Sequence, residues 1–153
     1  MAENLSFQYC QKLVVLNQEL DSVLLAKRKG EADFDGVFSF IGGKMETTDE
    51  TLLAGMQREK NEEVGDRVSL KVLPKESYNL LFRKQDGNSM VLPHAACVYE
   101  GGEISLNEEY SEYAWVEIDQ LDSFEPKIET VVEAAAWALG RLSVATESDF
   151  VRI

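Results

Sequence analysis

No apolar run in these 153 residues is long enough to cross a membrane as a helix. The opening MAENLSFQYCQK lacks a basic start followed by an apolar core, so no secretory signal is expected and the chain reads as cytoplasmic. Cysteine is scarce: Cys10 and Cys97 are the only two, far apart and without metal or redox spacing. They read as free buried thiols in a reducing compartment. Histidine is scarcer still. His94, the only one, follows Pro93 within an apolar stretch and reads as a core or cleft residue rather than a catalytic one. Basic residues are outnumbered, 15 Lys and Arg against 28 Asp and Glu, for a net charge of −13. Such a surface repels a long phosphate polymer and lacks a basic stripe, which excludes a nucleic-acid polymer as partner. It leaves open a small anionic substrate bridged to carboxylates by divalent cations. Repeats, low-complexity segments and linkers are also missing, and the length suits one domain spanning 1–153 with a real core.

What is present alternates between strand and helix patterns. Lys12 to Leu16 and Ser22 to Lys27 are rich in Val and Leu and predict two strands, joined by a turn from Asn17 to Asp21. Lys29 to Gly36 reads as a loop, and Val37 to Ile41 as a short strand running into a Gly42-Gly43 turn. Glu50 to Val64 predicts a helix, with cap-type residues at Thr47-Thr48-Asp49 and a stop at Gly65. Strands follow at Arg67 to Leu73, Tyr78 to Lys84, Met90 to Glu100 and Glu112 to Ile118, with a turn at Asp86 to Asn88. Pro126 then precedes the helical KIETVVEAAAWALGRL, in which Trp137 and the alanines read as core packing, and the last residues read as a tail. This order predicts an α+β or α/β sandwich, a mixed β-sheet covered by helices.

The Glu50–Val64 segment carries the chemistry. At about 100° per residue, Leu52, Leu53, Met56 and Val64 form its core face. Glu59 and Glu63 lie at the edge of that face, with Glu62 beside Glu59. Like charges at helical spacing repel by a few tenths of a kcal/mol per pair, which Arg58 and Lys60 can offset. Gly55 costs about 1 kcal/mol against alanine in a helix and is expected to leave space beside the carboxylates. A solvated acidic face is the plain alternative. The edge placement and Gly55 favour an all-oxygen cage for Mg²⁺ or Mn²⁺.

Gly43, Glu50, Arg58-Glu59, Glu62-Glu63 and Gly65 together resemble the signature of the Nudix hydrolase (MutT-like) superfamily. That signature is Gly, five residues, Glu, seven residues, then Arg-Glu-apolar-x-Glu-Glu-x-Gly-apolar, and the REKNEEVG core matches at every charged and glycine position. The departures are local. Six residues separate Gly43 from Glu50, so the loop has an extra residue or Asp49 shares the role of Glu50. Lys60 and Asp66 stand at usually apolar positions; Lys60 is expected to lay its stem on the core and lift its head to solvent. Ile41 replaces a frequent proline.

The resemblance implies a Nudix-type α/β/α sandwich and hydrolysis of a nucleoside diphosphate linked to another group. It implies that Glu59, Glu62 and Glu63, with the Gly43 carbonyl, hold Mg²⁺ or Mn²⁺, while Arg58 orients the glutamates and Glu50 pairs with Arg58. Glu112, three residues before Trp115, holds a common family position for the general base, with Glu109 as runner-up. Arg28 is implied as a phosphate-gripping arginine, and Phe40, rather than Phe38, as the aromatic near the base. For Glu112 the plain alternative is a solvated loop glutamate; for Arg28, a surface strand end; for the phenylalanines, core packing. The implied substrate is a small nucleotide, first a nucleoside triphosphate, oxidised or otherwise non-standard ones included. ADP-ribose or a nucleotide sugar is the rival. Other readings are a sensor that binds without cleaving, disfavoured by the intact glutamates, and RNA decapping, disfavoured by the acidic charge. Isopentenyl diphosphate isomerisation lacks a suitable cysteine motif. Family members commonly form homodimers, though no segment here announces an interface.

Overall fold

The computed structural model describes residues 2–153. The strands are β1 (Gln8–Leu16), β2 (Ser22–Arg28), β3 (Phe38–Ser39), β4 (Ile41–Lys44), β5 (Ser69–Val72), β6 (Tyr78–Arg83), β7 (Ser89–Gly101), β8 (Tyr110–Glu117) and β9 (Val151–Arg152). Helix α1 (Leu52–Val64) lies between β4 and β5, and α2 (Val131–Val144) follows β8. The strands form one sheet in the order β3-β2-β1-β7-β5-β9, with β4 also on β1, β6 on β7 and β8 on β2. The centre is parallel, β1 against β7, and the other pairings are antiparallel.

Alternation along β1 explains the two layers. Val14 and Leu16 point to one face and pack with Val23, Leu25, Ala134, Ala135 and Ala138 under α2. Leu13 and Val15 point to the other and pack with Leu24, Ile41, Met56 and Val64 under α1. A strand apolar on both faces belongs in the middle of a sheet covered on both sides. The result is a mixed sheet between helices, the sandwich that the order of elements predicts and the α/β/α arrangement that the resemblance implies. The small residues Ala134, Ala135 and Ala138 are fully buried and let α2 lie close on the sheet.

Several expectations are corrected. The strand expected to stop at Ile41 restarts there and runs through Gly42 and Gly43, which face Lys12 and Gln11 of β1 rather than turning. Ile41 pairs with Leu13; a proline there would lack the N–H of a regular ladder position. Helix α1 begins at Leu52, not Glu50, because the Thr51 hydroxyl accepts the Ala54 N–H at 3.0 Å. Leu52, expected on the core face, is 49% exposed in that first turn. Lys60 does not reach solvent: it is buried and donates to the Val68 carbonyl at 2.7 Å. The residues after Pro126 are not helical: they run along β3 to Ile128 and turn through Glu129 and Thr130 before α2 starts at Val131. Phe38 donates to the Pro126 carbonyl and receives the Ile128 N–H, both at 3.0 Å. The expected tail is part of the sheet, since Ile153 exchanges two backbone bonds with Leu70 and is buried. Both cysteines are free and buried.

Candidate active site

A cleft of about 630 Å³ opens over the sheet beside the start of α2, within the range of small-molecule sites. Its floor follows from register. Lys12 of β1 lies opposite His94 of β7 on one side and Gly42 of β4 on the other, so all three share a stretch of sheet. Of its lining residues, Glu59, Glu62, Arg28 and Glu109 belong to the β2 and β4 side of β1, and Leu80, Met90, Leu92 and His94 to β6 and β7 on the other side.

Helix α1 divides its glutamates by depth. Glu62 is half in solvent, with 52% of its side chain exposed. Glu59 lies against Gly43, where a β-carbon would come within 2.5 Å of its carboxylate. Burial pushes its pKa up, Arg58 pulls it down, and Glu62 and Glu109 push it up again. Glu63, 1% exposed, lies beneath the cleft. The Gly42 N–H donates to its Oε2 at 2.8 Å, and the Tyr110 hydroxyl lies 3.1 and 3.0 Å from its two oxygens. Burial pushes this carboxyl up to about 8, against the pull of Lys12 and the Gly42 N–H. Tyr110 is pushed up by burial and by Glu63.

Arg58 organises the rim. Its Nε and Nη2 donate to the two Asp49 oxygens, each at 2.9 Å, in a fork. Nη1 donates to Glu59 at 2.9 Å and Glu62 at 3.1 Å, and Nη2 also to the Lys44 carbonyl at 3.0 Å. The hydrogen bonds from Arg58 and the Glu46 N–H hold Asp49 down at about 2. The implied Glu50–Arg58 pair is therefore corrected. The extra residue moves Glu50 to an exposed position, and Asp49 takes the arginine. Gly55 does not leave space either. A β-carbon there would meet Met45 Sδ at 2.4 Å and Gln11 Oε1 at 2.9 Å; the missing side chain makes room for Met45.

Arg28 walls the cleft from the end of β2, with Nη2 donating to the Asp33 carbonyl at 3.3 Å and pairing with Glu31 at 3.5 Å. Its Nε is buried and has no partner among the described residues. Phe40 and Phe38 are both buried in the core under α2, but only Phe40 reaches the cleft. Glu109 is a wall of the cleft, while Glu112 sits on β8 opposite Lys27, exposed and outside the lining. Lys12 and Tyr110 escaped the sequence reading. A lysine on the inward face of β1, two residues before Val14, is the signal for Lys12. Nothing local marks Tyr110, which meets Glu63 across 47 residues.

The donor set is all oxygen: the Glu59, Glu62 and Glu109 carboxylates line the cleft, with Gly43 packed against Glu59, which suits a hard divalent cation. Among the described residues no three His, Cys, Asp or Glu side chains stand close enough to enclose an ion by themselves. The set fits a cation whose coordination a ligand completes, as phosphate oxygens do.

A family model described as the NUDIX domain matches residues 11–136. No curated protein matches the sequence. Solved structures share its fold. A NUDIX-family hydrolase from Clostridium perfringens is 18% identical, with a TM-score of 0.73 over 90% of this chain and 99% of that one. MutT protein from Methanosarcina mazei Go1 is 20% identical, with a TM-score of 0.67 over 94% and 100%. The NUDIX domain of Shewanella oneidensis NrtR, solved in complex with ADP ribose, is 18% identical, with a TM-score of 0.70 over 90% and 89%.

Proposed function

From the premise that this chain belongs to the NUDIX family and is a Nudix pyrophosphohydrolase, we propose that it cleaves a nucleoside triphosphate to the monophosphate and pyrophosphate. The observation that carries the reading is the layout of one cleft. Carboxylates line it from the β4 side with Arg28 near them, Lys12 lies on the central strand β1, and apolar residues with one polar ring line it from β6 and β7. A nucleotide has the same order of charge, from polyphosphate to heterocycle.

Glu59, Glu62 and the Gly43 carbonyl would hold Mg²⁺ or Mn²⁺, with Glu109 in reach of the same charge. When bound, such an ion draws charge from the phosphates and makes a water more acidic. The remaining work falls to side chains. Arg28, which walls the cleft, offers its guanidinium to a phosphate oxygen. Lys12 and Lys44, which form no ion pair among the described residues, offset phosphate charge along the floor. Arg58, locked by Asp49, holds Glu59 and Glu62 in place. Glu63 braces the Gly42 N–H from beneath. Water attacks phosphorus, a new P–O bond forms, the bridging P–O bond breaks, and pyrophosphate leaves. The proton of the attacking water passes to Glu109, which walls the cleft, rather than to Glu112, which does not. Because net charge is −13, small nucleotides rather than RNA are the expected substrates.

A second reading is cleavage of ADP-ribose or a nucleotide sugar; the NrtR domain solved with ADP ribose has a TM-score of 0.70. One panel separates the two. Nucleoside triphosphates, ADP-ribose and nucleotide sugars are incubated with Mg²⁺ or Mn²⁺, with Glu59→Gln beside the parent. Monophosphate and pyrophosphate from a triphosphate, lost in the variant, support the first reading. Selective turnover of ADP-ribose replaces it with the second. Binding without turnover of any substrate leaves a sensor.

A further inference from the structure

His94 is held as an acceptor where β7 borders the cleft. The residue is only 3% exposed. Nδ1 lies 3.0 Å from the Tyr78 carbonyl oxygen and 2.9 Å from that of Leu92. Carbonyl oxygens only accept, so Nδ1 carries the hydrogen, and Nε2 is left with a lone pair. Burial favours this neutral form. Phe40 stands edge-on to the ring at 5.7 Å and 84°, and Tyr78 lies tilted at 6.2 Å. Turning the ring would give up both carbonyl bonds, so the orientation of Nε2 is fixed. Among the described residues Nε2 has no hydrogen-bond partner, yet it is not one of the fully buried atoms that lack one. It therefore keeps contact with open space, and the open space bordered by His94 is the cleft. Leu80, Phe82, Met90 and Leu92, on β6 and β7 like His94, also line the cleft and suit a flat heterocycle that carries little charge.

We infer that His94 Nε2 accepts a hydrogen bond from an exocyclic amine of the substrate's base, making His94 a specificity-determining residue; this rests on reading the cleft as a nucleotide site. An apolar wall alone discriminates poorly between similar bases. An acceptor that loses water and finds no donor penalises a base lacking the amine. The Lys12 ammonium, on the neighbouring strand opposite His94, is a donor only. The floor thus presents an acceptor to the base and a cation to the phosphate side.

The test uses the fact that His94 is the only histidine, so the imidazole nitrogen signals of the ¹⁵N-labelled full chain need no assignment by mutation. Long-range ¹H–¹⁵N spectra of the parent are expected to show hydrogen on Nδ1 and a bare Nε2. AMP is then compared with purine riboside 5′-monophosphate, and GMP with IMP, each pair differing by one amine. In at least one pair the amine-bearing nucleotide is expected to shift Nε2 and to bind roughly 3- to 10-fold tighter by calorimetry, as one hydrogen bond allows. His94→Asn, which keeps a donor near Nδ1 but removes the acceptor, is expected to bring that ratio close to one; His94→Gln, with an acceptor near Nε2, retains part of it. If the nucleotides bind but Nε2 does not respond, or neither pair separates, the His94 inference is overturned and the nucleotide site stands. If none of the four binds and no nucleoside triphosphate is turned over, the nucleotide reading falls and takes the inference with it.

Discussion

The Tyr110 hydroxyl stands 3.0 and 3.1 Å from the two carboxylate oxygens of Glu63, in a pocket of the protein closed to solvent. A carboxyl placed this deep favours its neutral form, which has a consequence for stability. Its folded pKa of about 8 lies above the unfolded value near 4.3. The folded chain therefore binds this proton more tightly, so the linked stability is complete below about pH 4 and drains away as pH rises towards 8. In EDTA, the melting temperature is expected to fall between pH 5.5 and 8.5, by an amount on the order of a few kcal/mol in unfolding free energy. Glu59, also pushed up by burial, adds in the same direction. Glu63→Gln should flatten most of the slope, and an unchanged slope would remove Glu63 as its source.

Asp49 predicts the opposite slope at the acid end. Its folded pKa of about 2 lies below the unfolded 3.9, so its contribution is present above pH 4 and lost as pH falls towards 2. Asp49→Asn should abolish that part of the acid dependence of the urea midpoint. It should also lower turnover roughly 10- to 100-fold, as loss of a partner behind metal-binding carboxylates does. Glu50→Gln is the control, and should leave both as in the parent. A large effect of Glu50→Gln with none from Asp49→Asn would return the arginine's partner to the position the motif spacing implies.

That exchange of partners shows where the sequence was legible and where it was not. The Arg58, Glu59, Glu62 and Glu63 cluster could be read because a helix fixes neighbours three and four residues apart, and the layers because alternation marks buried strands. The loop before α1 could not, because one added residue changes which acid faces Arg58. Gly55 misled because the space beside it depends on Met45, ten residues earlier and across a loop. Lys60 broke its expected pattern through a single carbonyl, that of Val68, which gave its ammonium a buried partner. The Glu63–Tyr110 contact and the cleft position of His94 depend on strand register across the sheet, which no local pattern states.

The two acidic residues around β8 should separate in kinetics. If Glu109 takes the proton from water, Glu109→Gln lowers kcat by about 10²- to 10⁴-fold with a smaller effect on KM. Glu112→Gln, on an exposed strand position outside the cleft, should stay within about twofold of the parent. Steady-state kinetics with saturating Mg²⁺ decide the matter. A reversed order of the two variants would move the base to Glu112 and require β8 to shift its face towards the substrate.

Adjacent glycines make the last distinction, between residues that shape the fold and residues that shape the site. Gly42 has φ +132°, and a β-carbon there would lie 2.0 Å from the Gln11 carbonyl oxygen. Backbone cannot swing aside as a side chain can. Gly42→Ala is therefore expected to cost at least about 1–3 kcal/mol of stability, seen as a lower urea midpoint. At Gly43 the β-carbon would meet the Glu59 carboxylate, at 2.5 Å. That group is the end of a flexible side chain, so Gly43→Ala can fold by pushing Glu59 away, and the damage appears in chemistry. Turnover should drop and the Mg²⁺ or Mn²⁺ concentration for half-activity should rise, while the urea midpoint moves much less than for Gly42→Ala. Equal losses of stability in the two variants would mean that Gly43 serves the strand alone, and that the close approach of Glu59 to its backbone has no part in holding the cation.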